Sequence, residues 1–215
     1  MSIVRQISRG DTFNHQVNLV TGPTFEPVTT QEAKDHLRVT HDDDDIEIAT
    51  MITAARLRIE ALSGMRLASQ TVDVIADNWE ALADPNRREV LRLGIAPVTS
   101  ITSVKYYDGD DNDTTYSASN YWTDTNSVPA RIQCKTSWPT SVNERIGNIR
   151  IRCVVGYSSR NAVPAIFKQA IKLLVGHYYE NREQVTDLRL IEIPDGIYHL
   201  VQSHPEFHHY ATGAL

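Results

Sequence analysis

Two acidic segments have the residue types and spacing of cation sites. Four consecutive carboxylates occupy Asp42–Asp45, and hard cations prefer carboxylate oxygens. The segment Asp108–Asp113 begins like a calcium loop, with oxygen-bearing side chains at alternate positions. However, Asp113 stands where such a loop needs a glycine, and Ser119 stands where it needs a bidentate glutamate. The sequence therefore favours helix capping for the first segment and a solvated hairpin tip for the second.

Four histidines near the end of the chain form the other metal candidate. His199, His204, His208 and His209 are close enough in sequence to bind zinc, but no cysteine or helical i,i+4 pair completes a site. We interpret them as part of a polar docking tail. The alternative is a metal-binding enzyme or binding module that uses the Asp108–Asp113 loop or these histidines.

Catalysis has little support in the sequence. It contains no glycine-rich phosphate loop, GxSxG elbow, HExxH pair or CxxC pair, each of which requires fixed spacing. His177 lies beside Tyr178, without an acid or nucleophile placed by spacing to make it a base. Trp79, Trp122 and Trp138 lack interleaved basic residues, which favours packing over stacking on bases. We predict a protein that is not an enzyme and has no catalytic residue, metal site or cofactor.

Composition indicates a folded domain outside the membrane. The chain has 215 residues, of which 41% are hydrophobic and 22% charged. Its net charge of −6 argues against a broad phosphate-binding surface. No apolar run is long enough to span a bilayer, and the start lacks the apolar core of a signal peptide. Cys134 and Cys153 are too few for a disulfide scaffold, so we expect buried, reduced thiols in an intracellular protein.

Helices are expected on both sides of a β-rich region. Thr29 and Glu32 have capping-box spacing, which predicts a helix over residues 30–38. Apolar residues at intervals of three and four predict a second helix over 44–63, and Pro164 begins a third over 164–182. The third helix has an apolar face so wide that it must be covered on more than one side. We expect subunit contacts at Phe25, Phe167, Ile171, Leu174 and Tyr178.

The β section spans residues 70–157 and contains strands with one buried face. In the last strand, apolar residues from Ile149 to Val155 alternate with Arg150 and Arg152. The predicted fold class is therefore α+β, a small helical bundle of N- and C-terminal helices with an inserted antiparallel β section. We divide the chain into an extended arm (1–28), the main domain (29–186) and a C-terminal docking tail (187–215). The arm is either a frayed terminus or a strand laid on a neighbouring subunit.

Three groups of residues occur in the order and spacing of one known family. Together they cover about residues 28–185 and resemble the head–tail connector (adaptor) proteins of long-tailed phages and prophages. The first group is Val28–Val39, the acid run Asp42–Asp45, and Ile52–Arg56 with Glu60 and Gly64. The second is Pro97–Asp108 with Tyr121 and Trp138-Pro139, and the third is Gly156-Tyr157 with Val163–Ala165, Lys168–Ile171 and His177–Glu183.

The resemblance implies a structural role in the virion neck. Such subunits form a ring, commonly a dodecamer, beneath the portal protein and contact the next tail component. DNA would pass through the ring without specific binding, and the protein would be made in the bacterial cytoplasm without membrane contact. The resemblance also implies that the C-terminal segment docks on the portal. The expected docking residues are Ile193, Pro194, Ile197, Leu200, Pro205, Phe207 and Tyr210.

Overall fold

The computed structural model describes residues 15–181 and 195–204, and the elements below are those of this part of the chain. No helix in it is long and apolar enough to cross a membrane. The helices are α1 Thr30–Leu37, α2 Asp45–Ser63, α3 Ala165–Glu180 and α4 Asp195–Gln202. The strands are β1 Gln16–Thr21, β2 Gln70–Ala76, β3 Ala83–Asp84, β4 Arg87–Leu93, β5 Val98–Tyr107, β6 Asp113–Tyr116, β7 Tyr121–Asp124, β8 Ala130–Cys134 and β9 Ile149–Val155.

The capping box predicted for α1 is confirmed. The backbone N–H of Glu32 donates to Thr29 Oγ1 at 3.0 Å, and the N–H of Thr29 donates to Glu32 Oε2 at 2.8 Å. These two bonds satisfy amide groups that the first turn of a helix leaves without partners. The sequence thus defines the start of α1 locally.

The acid run before α2 does not cap that helix as predicted. Asp44 occupies the N-cap position but makes no side-chain capping bond. Lys34 Nζ instead binds Asp42 Oδ1 at 2.5 Å and Asp45 Oδ1 at 2.7 Å, and the hydroxyl of Tyr179 donates to Asp44 Oδ2 at 2.5 Å. The carboxylates therefore bind α1 and α3 because tertiary packing brings donors from those helices to the run.

The helices pack around one apolar core. Phe167, Ile171 and Leu174 of α3 are fully buried against apolar residues of α1 and α2, and Ile197 and Val201 of α4 complete the cluster. Tyr179 of α3 contacts the N-terminal end of α2, so α2 and α3 run in opposite directions. The predicted packing of early against late helices is confirmed, and so is the α+β fold class.

The β section forms two antiparallel sheets with a shared core. Their strand orders are β1-β2-β9-β5-β6 and β3-β4-β8-β7. In β9 the residues Ile149, Ile151 and Cys153 are fully buried, as their alternation predicts. They meet buried residues of the second sheet such as Ile132, while the rings of Trp79 and Trp138 stack with centroids 4.8 Å apart. The two inner faces therefore form a core separate from the helical one.

Part of the predicted N-terminal arm belongs to the first sheet. Strand β1 pairs antiparallel with β2, with Val17 opposite Val74 and Leu19 opposite Val72. It is one of the two edge strands of this sheet, and Leu19 and Val20 remain exposed. The first fourteen residues of the arm lie outside the described residues, as do residues 182–194 and 205–215 of the tail region.

Gly156 lies directly after the end of β9 and packs against the segment that leads from α2 into β2. This glycine has a φ of +91°, and a Cβ built there would lie 2.1 Å from the carbonyl oxygen of Ala68. A side chain at this position would therefore collide with backbone. The Gly156 N–H also donates to Pro97 O at 2.8 Å, which holds the end of β9 against the start of β5. Only glycine permits the backbones to approach so closely at this junction.

A buried ion cluster joins the helical core to the β section. Arg56 of α2 is 4% exposed and donates through Nε to Glu26 Oε2 at 2.8 Å and through Nη1 to Glu60 Oε2 at 3.3 Å. Glu60 also accepts the backbone N–H of Leu67 at 2.8 Å, just before β2. These partners satisfy charges that would be costly to bury alone.

We expect Arg56→Ala to lower the free energy of unfolding by about 3–5 kcal/mol, because it leaves Glu60 buried without its cation. The exposed Arg58 of the same helix is the matched control, and Arg58→Ala should change stability by less than about 0.5 kcal/mol. Urea unfolding monitored by tryptophan fluorescence measures both values. Equal stability of the two variants would show that the cluster does not hold the junction.

Candidate assembly surfaces

The residues predicted to contact other subunits lie mostly inside this chain's own core. Phe167 and Ile171 are 0% exposed and Leu174 is 1% exposed. Their surface is already buried by the helices of the same chain, so it is not available to a neighbour in this conformation. Phe25 and Tyr178 are partly buried at the rim of the helical core. For these two residues a subunit contact stays a prediction.

Two of the predicted portal-docking residues also pack in this chain. Ile197 is 3% exposed within the helical core, and Leu200 packs partly buried against it. Docking through Ile197 would require α4 to leave its place. The remaining predicted docking residues lie outside the described residues, and they are Ile193, Pro194, Pro205, Phe207 and Tyr210.

The Asp108–Asp113 loop uses its carboxylates within the hairpin it closes. Asp108 Oδ1 accepts the backbone N–H groups of Asp110 and Asn112, both at 3.0 Å. The bond from Asn112 holds the pKa of the Asp108 carboxyl below its usual value. Asp111 binds Arg145 at 2.7 Å, and Asp113 binds both Lys105 and Arg150. The loop thus has the hydrogen-bonded structure of a hairpin tip.

The described histidines of the C-terminal region do not form a metal site with their neighbours. His204 packs its ring against Phe167, with centroids 4.8 Å apart, and His199 lies on α4. His208 and His209 lie outside the described residues. Within residues 15–181 and 195–204, no group of three or more His, Cys, Asp or Glu side chains is placed to hold a metal ion. The metal-binding alternative has no support in this part of the chain.

Helix α2 carries an uncharged stripe on its exposed side, and none of its residues is among the predicted contact residues. Its buried side contains residues such as Ile48, Ile52 and Ile59. On the opposite side are five exposed residues without a charge among them, and Ile46 is 86% exposed and Leu57 54% exposed. We name this stripe the outer α2 face, and it consists of Ile46, Thr50, Ala54, Leu57 and Ala61.

The spacing of these residues is itself a signal in the sequence. Steps of four, four, three and four place them in one row along the helix, about 23 Å long at 1.5 Å per residue. A solvent-facing helix side normally carries charged residues, and a helix that is apolar all round is normally buried. The outer α2 face therefore has the character of a surface that is covered in an assembly.

A second exposed feature lies on the outer side of the four-stranded sheet. Trp122 is 56% exposed, and Lys135 Nζ lies 5.5 Å from the centroid of its ring. Trp122 is opposite Gln133 in the sheet register, and Gln133 is opposite Val90. Exposed aromatic residues with basic neighbours are common anchors of protein interfaces. We name this surface the Trp122 face, and it consists of Arg88, Trp122, Arg131, Gln133 and Lys135.

The Trp122 face carries three exposed cations, and two of them lie beside acids. The cations are Arg88, Arg131 and Lys135, and the acids are Glu80 beside Arg88 and Asp124 of β7 beside Arg131. Asp124 Oδ2 accepts from Ser127 Oγ at 2.5 Å and from Arg131 Nη2 at 2.6 Å, which lowers the pKa of its carboxyl to about 2. Arg88 lies 3.2 Å from Glu80, but both side chains are more than three-quarters exposed, so this pair is weak. Lys135 has the indole ring of Trp122 as its described contact.

The sequence matches the model of one known protein family. A family model described as head completion protein matches residues 26–188. The chain belongs to the head completion protein family. Comparison with curated proteins finds no match.

Solved structures with a similar fold come from gene transfer agent (GTA) particles. The neck of an empty GTA particle computed with C6 symmetry has a chain with a TM-score of 0.67 and 23% identity. The virion of a native GTA particle has one with a TM-score of 0.67 and 24% identity, and the native neck computed with C12 symmetry has one with 0.63 and 24%. Each comparison covers 87% of this chain and 93% of the other. This member of the head completion protein family therefore shares its fold with chains of those particles over most of its length.

Both cysteines of this head completion family member are buried in the core between the sheets. Cys153 is 0% exposed and Cys134 is 3% exposed, as their alternation in β9 and β8 predicts. Burial raises the pKa of both thiols, and that of Cys153 to about 12. Both groups are therefore protonated at neutral pH, and the thiol is the unreactive form.

We expect the native protein to show no rapid reaction with a thiol reagent at pH 8, because its two thiols are protonated and inaccessible. In guanidinium chloride both should react, giving two equivalents per chain. Absorbance of the released chromophore of a disulfide reagent measures this. One equivalent released rapidly from the folded protein would contradict the burial of one cysteine.

Proposed function

We propose that this protein is a structural subunit of the neck of a phage-like particle, where a ring of copies joins the head to the tail. The match to the head completion protein family over residues 26–188 carries this proposal, because that range includes α1 to α3 and every strand from β2 to β9. The similar chains from GTA necks, whose symmetries are sixfold and twelvefold, support a ring. The protein acts through shape and contact, without a catalytic step.

The proposed ring has twelve copies, as the twelvefold symmetry of the similar neck suggests. Each copy contacts its neighbours, the portal protein and the next tail component. The protein is made in the bacterial cytoplasm and becomes part of the virion neck. Rings of identical subunits require two different contact surfaces on each copy, because a head-to-tail contact repeats around the axis.

DNA passes through the proposed ring without stable binding. The chain has a net charge of −6, and a broad basic lining would hold phosphates tightly. Three partly exposed cations of the five-stranded sheet are already paired with acids. Arg152 binds both carboxylate oxygens of Asp73 at 2.8 Å, and Arg150 and Lys105 share Asp113. Such paired cations offer phosphates weaker attraction than free ones.

Electron cryo-microscopy of the cognate particles tests the proposed function. We expect a ring at the head–tail junction that accommodates twelve copies of this fold, with a lumen that is not lined mainly by Lys and Arg. Particles from a strain that lacks the gene should have DNA-filled heads without attached tails. Normal tailed particles without this chain would overturn the proposal.

Portal docking by the tail is tested by a truncation that keeps the core intact. Removing residues 187–215 would also remove Ile197 and Val201 from the helical core, so a chain that ends at His204 is the better variant. We expect it to unfold within a few degrees of the full chain but to lose binding to the cognate portal in a pull-down assay. Binding equal to that of the full chain would contradict docking through residues 205–215.

A further inference from the structure

The outer α2 face begins at the most acidic part of the chain. Residues 41–47 contain five acidic side chains and no Lys or Arg. The carboxylates of Asp42 and Asp43 are 88% and 93% exposed, and Ile46 lies among them. Glu47 is exposed beside the row. The outer α2 face thus presents an apolar anchor, Ile46, with an acidic rim.

The same end of α2 lies far from the β section. The helix spans nineteen residues, about 28 Å, and its C-terminal end leads through Gly64 into β2. Its acidic end is therefore remote from the point where the sheets begin.

The Trp122 face differs from the outer α2 face in the charge beside its apolar anchor. It presents an apolar anchor, Trp122, beside the ammonium group of Lys135, whereas Arg131 is already paired with Asp124. Beside the outer α2 face, Ala49 and Thr53 line a cleft between α2 and the segment before α1. A large exposed ring gains most when it enters such a recess and loses its water. Opposite charges around the two anchors would set their orientation.

We propose that the outer α2 face of one copy is covered by the Trp122 face of the next copy around the ring. This inference rests on the proposed function and names the two surfaces that the ring requires. The contact is head-to-tail, because it joins two different surfaces of the same chain. The row of side chains on α2 covers on the order of 250 Å², well below the roughly 800 Å² per partner of a standard interface. Free copies therefore associate weakly, and the contact forms when copies are gathered in the particle.

Cysteine cross-linking in assembled particles tests the contact directly. A chain with Thr50→Cys on the outer α2 face and Gln133→Cys beside Trp122 should give a ladder of covalent oligomers with a short bismaleimide. The native cysteines are buried with raised pKa values, so they do not compete. Each single-cysteine chain should remain monomeric on a denaturing gel. The matched control pairs Gln133→Cys with Gln169→Cys, which is exposed on α3, and should give no ladder.

The possible results test the proposed contact and the proposed ring independently of each other. If microscopy shows the ring but the double-cysteine chain gives no ladder, this inference is wrong while the proposed function stands. If Thr50→Cys alone gives dimers, two outer α2 faces meet each other, which also overturns the inference. If microscopy shows no ring containing this chain, the proposed function itself fails.

Charge reversal identifies the partner surface independently. We expect Glu47→Lys and Lys135→Glu each to lower incorporation about tenfold in competition with the unchanged chain, because each places like charges across the contact. The chain with both reversals should recover most of the loss, since every contact then pairs opposite charges again. Quantitative mass spectrometry of purified particles measures the ratio of the two chains. Additive losses in the double variant would show that these residues do not face each other.

Discussion

The architecture depends on one buried guanidinium. Arg56 binds Glu26 from the segment before α1 and Glu60 from its own helix, and Glu60 in turn holds the backbone of Leu67 at the entrance to the β section. Arg160, just before α3, adds a bond to the Glu26 carbonyl at 2.9 Å. Removal of one partner would leave charges without compensation in a low-dielectric environment. The Arg56 cluster thus links the helical core, the chain entering α1 and the segment that leads into the sheets.

That arrangement determines which side of α2 is left for other molecules. The cluster and the apolar residues around Ile52 direct one side of the helix into the core. The opposite row, from Ile46 to Ala61, then faces outward although it carries no charge. Such a chain has a packed core, but its surface retains an exposed uncharged row of the kind that contacts other molecules. This property suits a subunit that is added to a particle rather than one that acts alone.

The difference between the buried and the exposed helix surfaces also explains where the predicted subunit-contact residues lie. The wide apolar face of α3 predicts burial on more than one side. Residues of α2 and α4 in the same chain provide that burial. Apolar width in a sequence indicates burial but does not distinguish burial by the same chain from burial by another. Phe167 and Ile171 are buried by residues of the same chain. The exposed stripe of α2 is the better candidate because no described residue of this chain covers it.

Much of the local structure of this protein could be predicted from its sequence. The capping box at Thr29, the helices and the alternation that buries Cys153 all depend on neighbours within a few residues, so spacing predicts them. The family resemblance also depends on residue order alone, and the family match over residues 26–188 confirms it. Tertiary structure decided what the acid run binds, which apolar row is covered, and that Trp122 is exposed while Trp79 and Trp138 stack. Those outcomes require contacts between residues far apart in the chain. The periodicity of a sequence predicts which residues share a face, but it does not predict which distant surface packs against that face.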